Sequence, residues 1–174
     1  MSQNKSKVIN RAEVVDQNFV EFVKSHQAVD PKQPLEQLGL SAQVVLDLFE
    51  SQVRSRQLDL MARILKLQNK VFYTIGSSGH EGNAMLGSLL RHTDPAFLHY
   101  RSGGLMMERS RHVDGIDPIW DTCLSFAAAE SDPASGGRHK VWGSKPLWVL
   151  PQTSTIASHL PKAVGCALGV ELAQ

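Results

Sequence analysis

Apolar residues recur at helical spacing along most of this chain. Val14, Val15, Phe19, Phe22 and Val23 predict a first helix over Asn10 to about Gln27. Pro31 and Pro34 break it, and Glu36 to Leu40 is a short connector with Gly39 as a stop signal. Ser41 is an N-cap for a long helix to about Leu67. Val45, Phe49 and Val53, continued by Leu60, Met61, Ile64 and Leu65, form the stripe expected to face the core. The pairs Glu50/Arg54 and Asp59/Arg63 place acid before base at i, i+4 and read as a solvated face.

Beyond Asn69 the pattern changes. Val71–Ile75 and Ala96–Tyr100 are short β-prone runs, each closed by a glycine-containing turn, and Leu147–Leu150 is a third apolar run. Helical spacing returns over His80–Leu90, Leu105–Arg111, Pro118–Ala129 and about Ile156 to Ala173. Ser131–Gly143 reads as a loop. The last helix carries Ala163, Gly165, Cys166, Ala167 and Gly169, small residues that permit close approach to a sheet or another helix. Alternation of short strands with longer helices predicts an α/β class: a main domain over 41–174, preceded by a helical extension over 1–40.

Composition narrows the function classes. A chain of 174 residues with 42% hydrophobic and 20% charged residues can bury a core unaided. Lys+Arg 18 against Asp+Glu 17 gives a formal charge of +1, so no electrostatic footprint for nucleic acid is expected. Cys123 and Cys166 form no CxxC pair, and no apolar run reaches membrane-spanning length. These features predict a soluble protein of the cytoplasm.

The familiar short motifs fail in turn. Gly76, Gly79 and Gly82 make GxxGxxG, not the dinucleotide GxGxxG, and no phosphate-loop Lys-Ser/Thr pair follows. His80-Glu81 starts like a zinc-hydrolase helix, but Ala84 stands where the second ligand belongs. No GxSxG elbow surrounds Ser158-His159 or any other serine. Isolated histidines and the Arg109, Arg111, His112 group read most simply as satisfied or solvated polar residues.

Three segments, taken in order over roughly 41–174, resemble the alpha subunits of thiamine-diphosphate-dependent 2-oxo acid dehydrogenases of the pyruvate and branched-chain type. The first is Gly79-His80-Glu81-Gly82-Asn83-Ala84, similar to the family's Gly-(Gln/Glu)-Glu-(Ala/Gly) helix start. The second is Tyr100-Arg101-Ser102-Gly103-Gly104, similar to Tyr-Arg-x-x-Gly. The third runs from Gly137-Arg138 through Gly143-Ser144 to the stretch Thr153–Gly165. It resembles a Gly-Arg loop followed by Ser-Ser-Pro-Leu-Ala-Thr-Gln-x-Pro-x-Ala-x-Gly. Thr155 stands where the family has proline and His159 where it has glutamine.

The resemblance implies the N-terminal part of a thiamin-diphosphate-binding fold, helix-rich with short parallel strands. It implies that Tyr100 and Arg101 line the cofactor site and that Ser154 and Ile156 meet the aminopyrimidine from the other side. His139, displaced relative to the family's loop histidine, is the expected catalytic donor on the substrate side. The family's Gly-Asp-Gly followed by Asn is missing, since Asp114-Gly115 follows Val113 and no asparagine occurs after Asn83. No metal ligand is therefore assigned, and the Mg2+ ligands are expected outside this chain.

By the same resemblance the complete enzyme decarboxylates a 2-oxo acid on thiamine diphosphate and passes the acyl group to a lipoyl-bearing acyltransferase. A beta-type chain or domain completes the site, in a hetero-oligomer or a homodimer of a fused chain. The 174 residues alone are expected to be inactive. Two alternatives stand beside this: a non-catalytic assembly module on the same scaffold, and a phosphate- or nucleotide-binding protein using Gly76–Gly82.

Overall fold

The computed structural model describes residues 10–27, 33–72, 74–138 and 142–174, without the side chains of Ala12 and Glu36. The chain divides into a first unit ending at Gly39 and a second, Leu40–Gln174. In the first, α1 spans Arg11–Ser25 and a 3-10 turn spans Leu35–Leu38. Its apolar residues Val15, Phe19, Phe22 and Val23 are exposed.

The second unit opens with α2, Ala42–Leu67. Ser41 caps it, its hydroxyl accepting the Val44 amide at 3.2 Å, as the N-cap reading requires. The buried face of α2, however, is Ser51, Ser55, Leu58, Asp59 and Ala62. The apolar stripe expected to face the core is turned outward, with Phe49 63% and Ile64 49% exposed.

The reason is a polar seam. The Ser51 hydroxyl donates to Glu108 at 2.6 Å, Ser55 shares a hydrogen with Ser77 at 2.7 Å, and Asp59 accepts from the Ser77 amide at 2.8 Å. Each buried polar group meets a partner, which makes its burial affordable. Asp59, expected on a solvated face, is buried for the same reason. Glu50 and Arg54 do form the expected exposed pair, at 2.6 Å.

Against this seam lies α4, Gly103–Ser110, with all of its residues buried. A Cβ on Gly103 would overlap the Ser55 hydroxyl, and one on Gly104 would come within 2.6 Å of the Glu81 carbonyl oxygen. Only glycine admits that approach. Arg109, expected in a solvated group, is fully buried. Its Nε donates to the Leu147 carbonyl at 2.9 Å, and its Nη2 donates to the carbonyls of His92 (2.9 Å) and Asp94.

Between these helices lies α3, Ala84–Leu89, preceded by a 3-10 turn over Glu81–Asn83. α5, Pro118–Phe126, starts where Asp117 Oδ1 accepts the amides of Ile119 (3.1 Å) and Trp120 (3.0 Å), with proline at its first turn. The apolar core joins Leu58 and Ala62 of α2 to Leu105, Met106 and Met107 of α4, Phe126, Trp142, Leu147 and Val149.

The expected parallel strands are replaced by an antiparallel hairpin. β1, Trp142–Ser144, pairs with β2, Val149–Gln152, in the register Trp142↔Gln152 and Ser144↔Val149. Trp148, in the left-handed region at φ 51°, closes the turn by donating its amide to the Lys145 carbonyl at 3.1 Å. Among the described residues, parallel pairing survives as the single bridge Ala96↔Val149. It extends no further because residues 99–102 close a turn, the Ser102 amide donating to the His99 carbonyl at 3.0 Å. The described part of 71–75 is not a strand, and beyond it the Ser77 amide bonds the Asp59 side chain.

The chain finishes in α6, His159–Leu172, which has no buried residue. Among the described residues no helix is long and apolar enough to cross a membrane.

Candidate functional site

The site is assembled from the three motif segments, and α2 positions the first of them. Asp59 holds the Ser77 amide at 2.8 Å and its hydroxyl at 3.0 Å. Gly76 passes so close to the Asp59 carboxylate that any Cβ would overlap it. The loop then turns, the His80 amide donating to the Ser77 carbonyl at 2.7 Å and the Gly79 amide to Glu81 Oε2 at 2.8 Å. Gly79 sits at φ +85°, which favours glycine. Burial pushes the Asp59 carboxyl upward, a push opposed by the Ser77 hydrogen bonds and the Arg56 charge.

The second segment meets the first through Arg101. Its Nη1 donates to the Gly76 carbonyl at 2.6 Å, fixing one end of the guanidinium. Its cationic head lies 5.3 Å from the centre of the Tyr100 ring. The Tyr100 carbonyl accepts Trp142 Nε1 at 2.9 Å, tying the bend to β1. The His99 ring lies tilted against Tyr100, their centres 3.9 Å apart, and stacks with His80 at 5.8 Å.

The third segment arrives through His159, whose ring presents its edge to His99 at 6.0 Å. The structure thus gathers His80, His99, Tyr100, Arg101 and His159. Burial first, then the neighbouring charges of His80, His159 and Arg101, hold the His99 pKa below the ordinary histidine value.

Tyr100 and Arg101, which the resemblance implies at the cofactor site, are both half-buried. Ser154 is half-buried in the loop between β2 and α6, and Ile156 in the same loop is 74% exposed. That loop is braced by Gln152, which donates to Ser158 and accepts Lys162 Nζ at 3.1 Å. Ala157 within it adopts φ 62°, an unusual conformation for a side chain with a Cβ. His139 lies outside the described residues. Among the described residues no cluster of histidine, cysteine or carboxylate side chains could hold a metal ion.

Sequence reasoning missed His99 and the anchoring role of Asp59, and took His80 and His159 only as deviations from known patterns. One signal was available: each of the three segments carries a histidine within or beside its motif. Their coming together depends on the tertiary fold.

A large concavity lies elsewhere, between α5, the 133–134 turn, the hairpin and α6, lined by Trp120, Pro133, Trp148, Pro151 and Cys166. None of Tyr100, Arg101, Ser154 and Ile156 lines it.

The described unit is helix-rich with a small two-stranded sheet, and three histidine rings meet beside its Tyr100–Arg101 bend. Over 136 residues, 75% of its length, the chain is 28% identical to the 2-oxoisovalerate dehydrogenase subunit alpha of Bacillus subtilis (strain 168). The similarity to this alpha subunit is of the kind the order of the three motif segments led one to expect. The chain spans 39% of that relative's length. No protein-family model matches the chain.

Proposed function

We propose that this chain forms the diphosphate-facing part of a thiamine-diphosphate-dependent 2-oxo acid dehydrogenase alpha subunit. The observation that carries the reading is the Arg101 cation, fixed at the Gly76 carbonyl, on a bend where the His80 and His159 rings gather around His99, so that a guanidinium and two imidazole donors are suited to an anion. Such a set fits the phosphate end of the cofactor. The Mg2+ ligands belong to segments outside this chain.

When bound, the thiamine group supplies the nucleophilic carbon and the electron sink for decarboxylation. Arg101, anchored at the Gly76 carbonyl, presents its planar fork to phosphate oxygens. Tyr100 offers an aromatic face beside it, while Ser154 and Ile156 serve the aminopyrimidine through their loop. His139 is the donor on the substrate side. A beta-type chain completes the site, a 2-oxo acid is the substrate, and a lipoyl-bearing acyltransferase receives the acyl group. The setting is the cytoplasm.

Calorimetric titration of the chain with inorganic pyrophosphate tests the anion site. Weak binding is expected, lowered about tenfold or more by Arg101→Ala, the scale of a lost charged hydrogen bond. Binding lost on Gly79→Val and indifferent to Arg101→Ala would transfer the function to the Gly76–Gly82 loop. Micromolar, magnesium-dependent binding of thiamine diphosphate by these residues alone would overturn the assignment of the metal ligands to other segments.

One observation favours a second reading, a non-catalytic assembly module. The apolar residues Leu160, Val164, Leu168 and Leu172 of α6 are all more than half exposed. That reading expects no pyrophosphate binding that depends on Arg101.

A further inference from the structure

The bend that presents Tyr100 and Arg101 is closed by an unusual bond. The Arg101 backbone amide donates to Nδ1 of His99 at 3.3 Å. An imidazole nitrogen accepts only while it carries no proton, so the bond requires neutral His99 with its hydrogen on Nε2. Protonation would set an N–H against the Arg101 amide and remove the bond.

The surroundings act in the same direction. The titratable groups facing His99 are His80 from the first segment, His159 at the start of α6, and Tyr100 and Arg101 on its own bend. None of these is a carboxylate. The carboxylates at the first segment are committed elsewhere, Asp59 to Ser77 and Glu81 to the Gly79 amide. Among the described residues, the charged neighbours that act on His99 are two imidazoles and a guanidinium, which oppose a proton on its ring.

We propose that His99 is a positioning residue that holds the Tyr100–Arg101 bend in binding geometry while neutral and releases it on protonation. The proposal deepens the anion-site reading and rests on it for its functional consequence. A histidine whose folded pKa is depressed stabilises the fold above its unfolded pKa. That contribution is lost as pH falls through the lower, folded value. Direction and geometry agree: acid opens the bend.

Nuclear magnetic resonance on the whole chain reads this without any cofactor. Between about pH 8 and pH 5, the Arg101 amide resonance is expected to titrate with the same midpoint as the His99 ring, below the ordinary histidine value. In His99→Asn, whose Oδ1 can accept the same bond and cannot be protonated, the Arg101 amide should stay flat across that range. Pyrophosphate titration at about pH 8, where imidazoles are neutral, isolates the positioning role from charge. Wild type and His99→Asn should bind alike, while His99→Phe, with no acceptor, should bind roughly three- to tenfold more weakly, the scale of one hydrogen bond.

An Arg101 amide that ignores pH in the wild type, or a His99→Asn chain as weak as His99→Phe, would overturn the proposal. If pyrophosphate binding is absent or indifferent to Arg101→Ala, the cofactor-site reading fails, and the amide titration still decides whether His99 holds the bend.

Discussion

Two helices of the second unit, each carrying a pair of glycines, lie at opposite extremes of burial. All eight residues of α4 are buried, although its sequence includes Glu108, Arg109 and Ser110. None of the fourteen residues of α6 is buried, although Leu160, Val164, Leu168 and Leu172 run along it. The glycines differ in the same way. Those of α4 touch Ser55 and Glu81 so closely that a methyl group cannot enter, whereas nothing lies within 4 Å of a Cβ placed on Gly165 or Gly169. Burial here follows hydrogen-bond satisfaction and backbone fit, not apolar content.

The strongest way to break this contrast is Arg109→Met. It removes the donors that hold the carbonyls of Leu147, His92 and Asp94, leaving buried acceptors unpaired. We expect a loss of about 3 to 5 kcal/mol in denaturant unfolding, from three carbonyls that each lose a hydrogen bond to a charged donor worth about 1.5 kcal/mol. A loss below about 1 kcal/mol would mean that packing, not the guanidinium, holds α4 in place.

Gly104→Val comes next. Its side chain would meet the Glu81 carbonyl, which is backbone and yields little, and a cost of about 3 kcal/mol is expected. Near-native stability would show that α4 can slide on α2.

A smaller effect separates charge from hydrogen bonding in the polar seam. The Asp59 carboxyl is raised by burial, so the folded state binds its proton more readily than the unfolded state. Stability contributed by this group is therefore lost as pH rises from the ordinary aspartate range through the raised folded value, and regained on acidification. Asp59→Asn keeps an acceptor for the Ser77 amide and removes the titration. The stability difference between wild type and variant should move in favour of the wild type as pH falls. A difference that is constant with pH would refute the burial argument.

The mildest test lies in α6. Gly165→Ala should stabilise the isolated chain by about 0.5 to 1 kcal/mol, because the site is open and alanine is the better helix former. Destabilisation by thermal scan would reveal a neighbour against that face.

The local signals translated well. Ser41 marked a helix start, and the helix read from Pro118 begins there, because capping satisfies amides within three residues, independent of the rest of the fold. Within the site, Tyr100 and Arg101 were legible from their motif. His99 was not, because its role depends on an imidazole nitrogen reached by the Arg101 amide and on rings that come from positions 80 and 159. The α2 stripe misled for a related reason. Phe49 and Ile64 satisfy helical periodicity, but Ser51, Ser55 and Asp59 have partners on Ser77 and Glu108 that no periodicity encodes.

By itself, then, the sequence determined where most helices begin and end, the order of the three motif segments and the likeness they carry. Those depend on neighbours a few residues apart. Only the tertiary structure decided which face of α2 is inside, that the β-prone runs yield an antiparallel hairpin with one parallel bridge, and that three histidines meet beside Arg101. Each of these depends on whether a buried polar group finds a partner from a distant part of the chain, which one-dimensional pattern does not record.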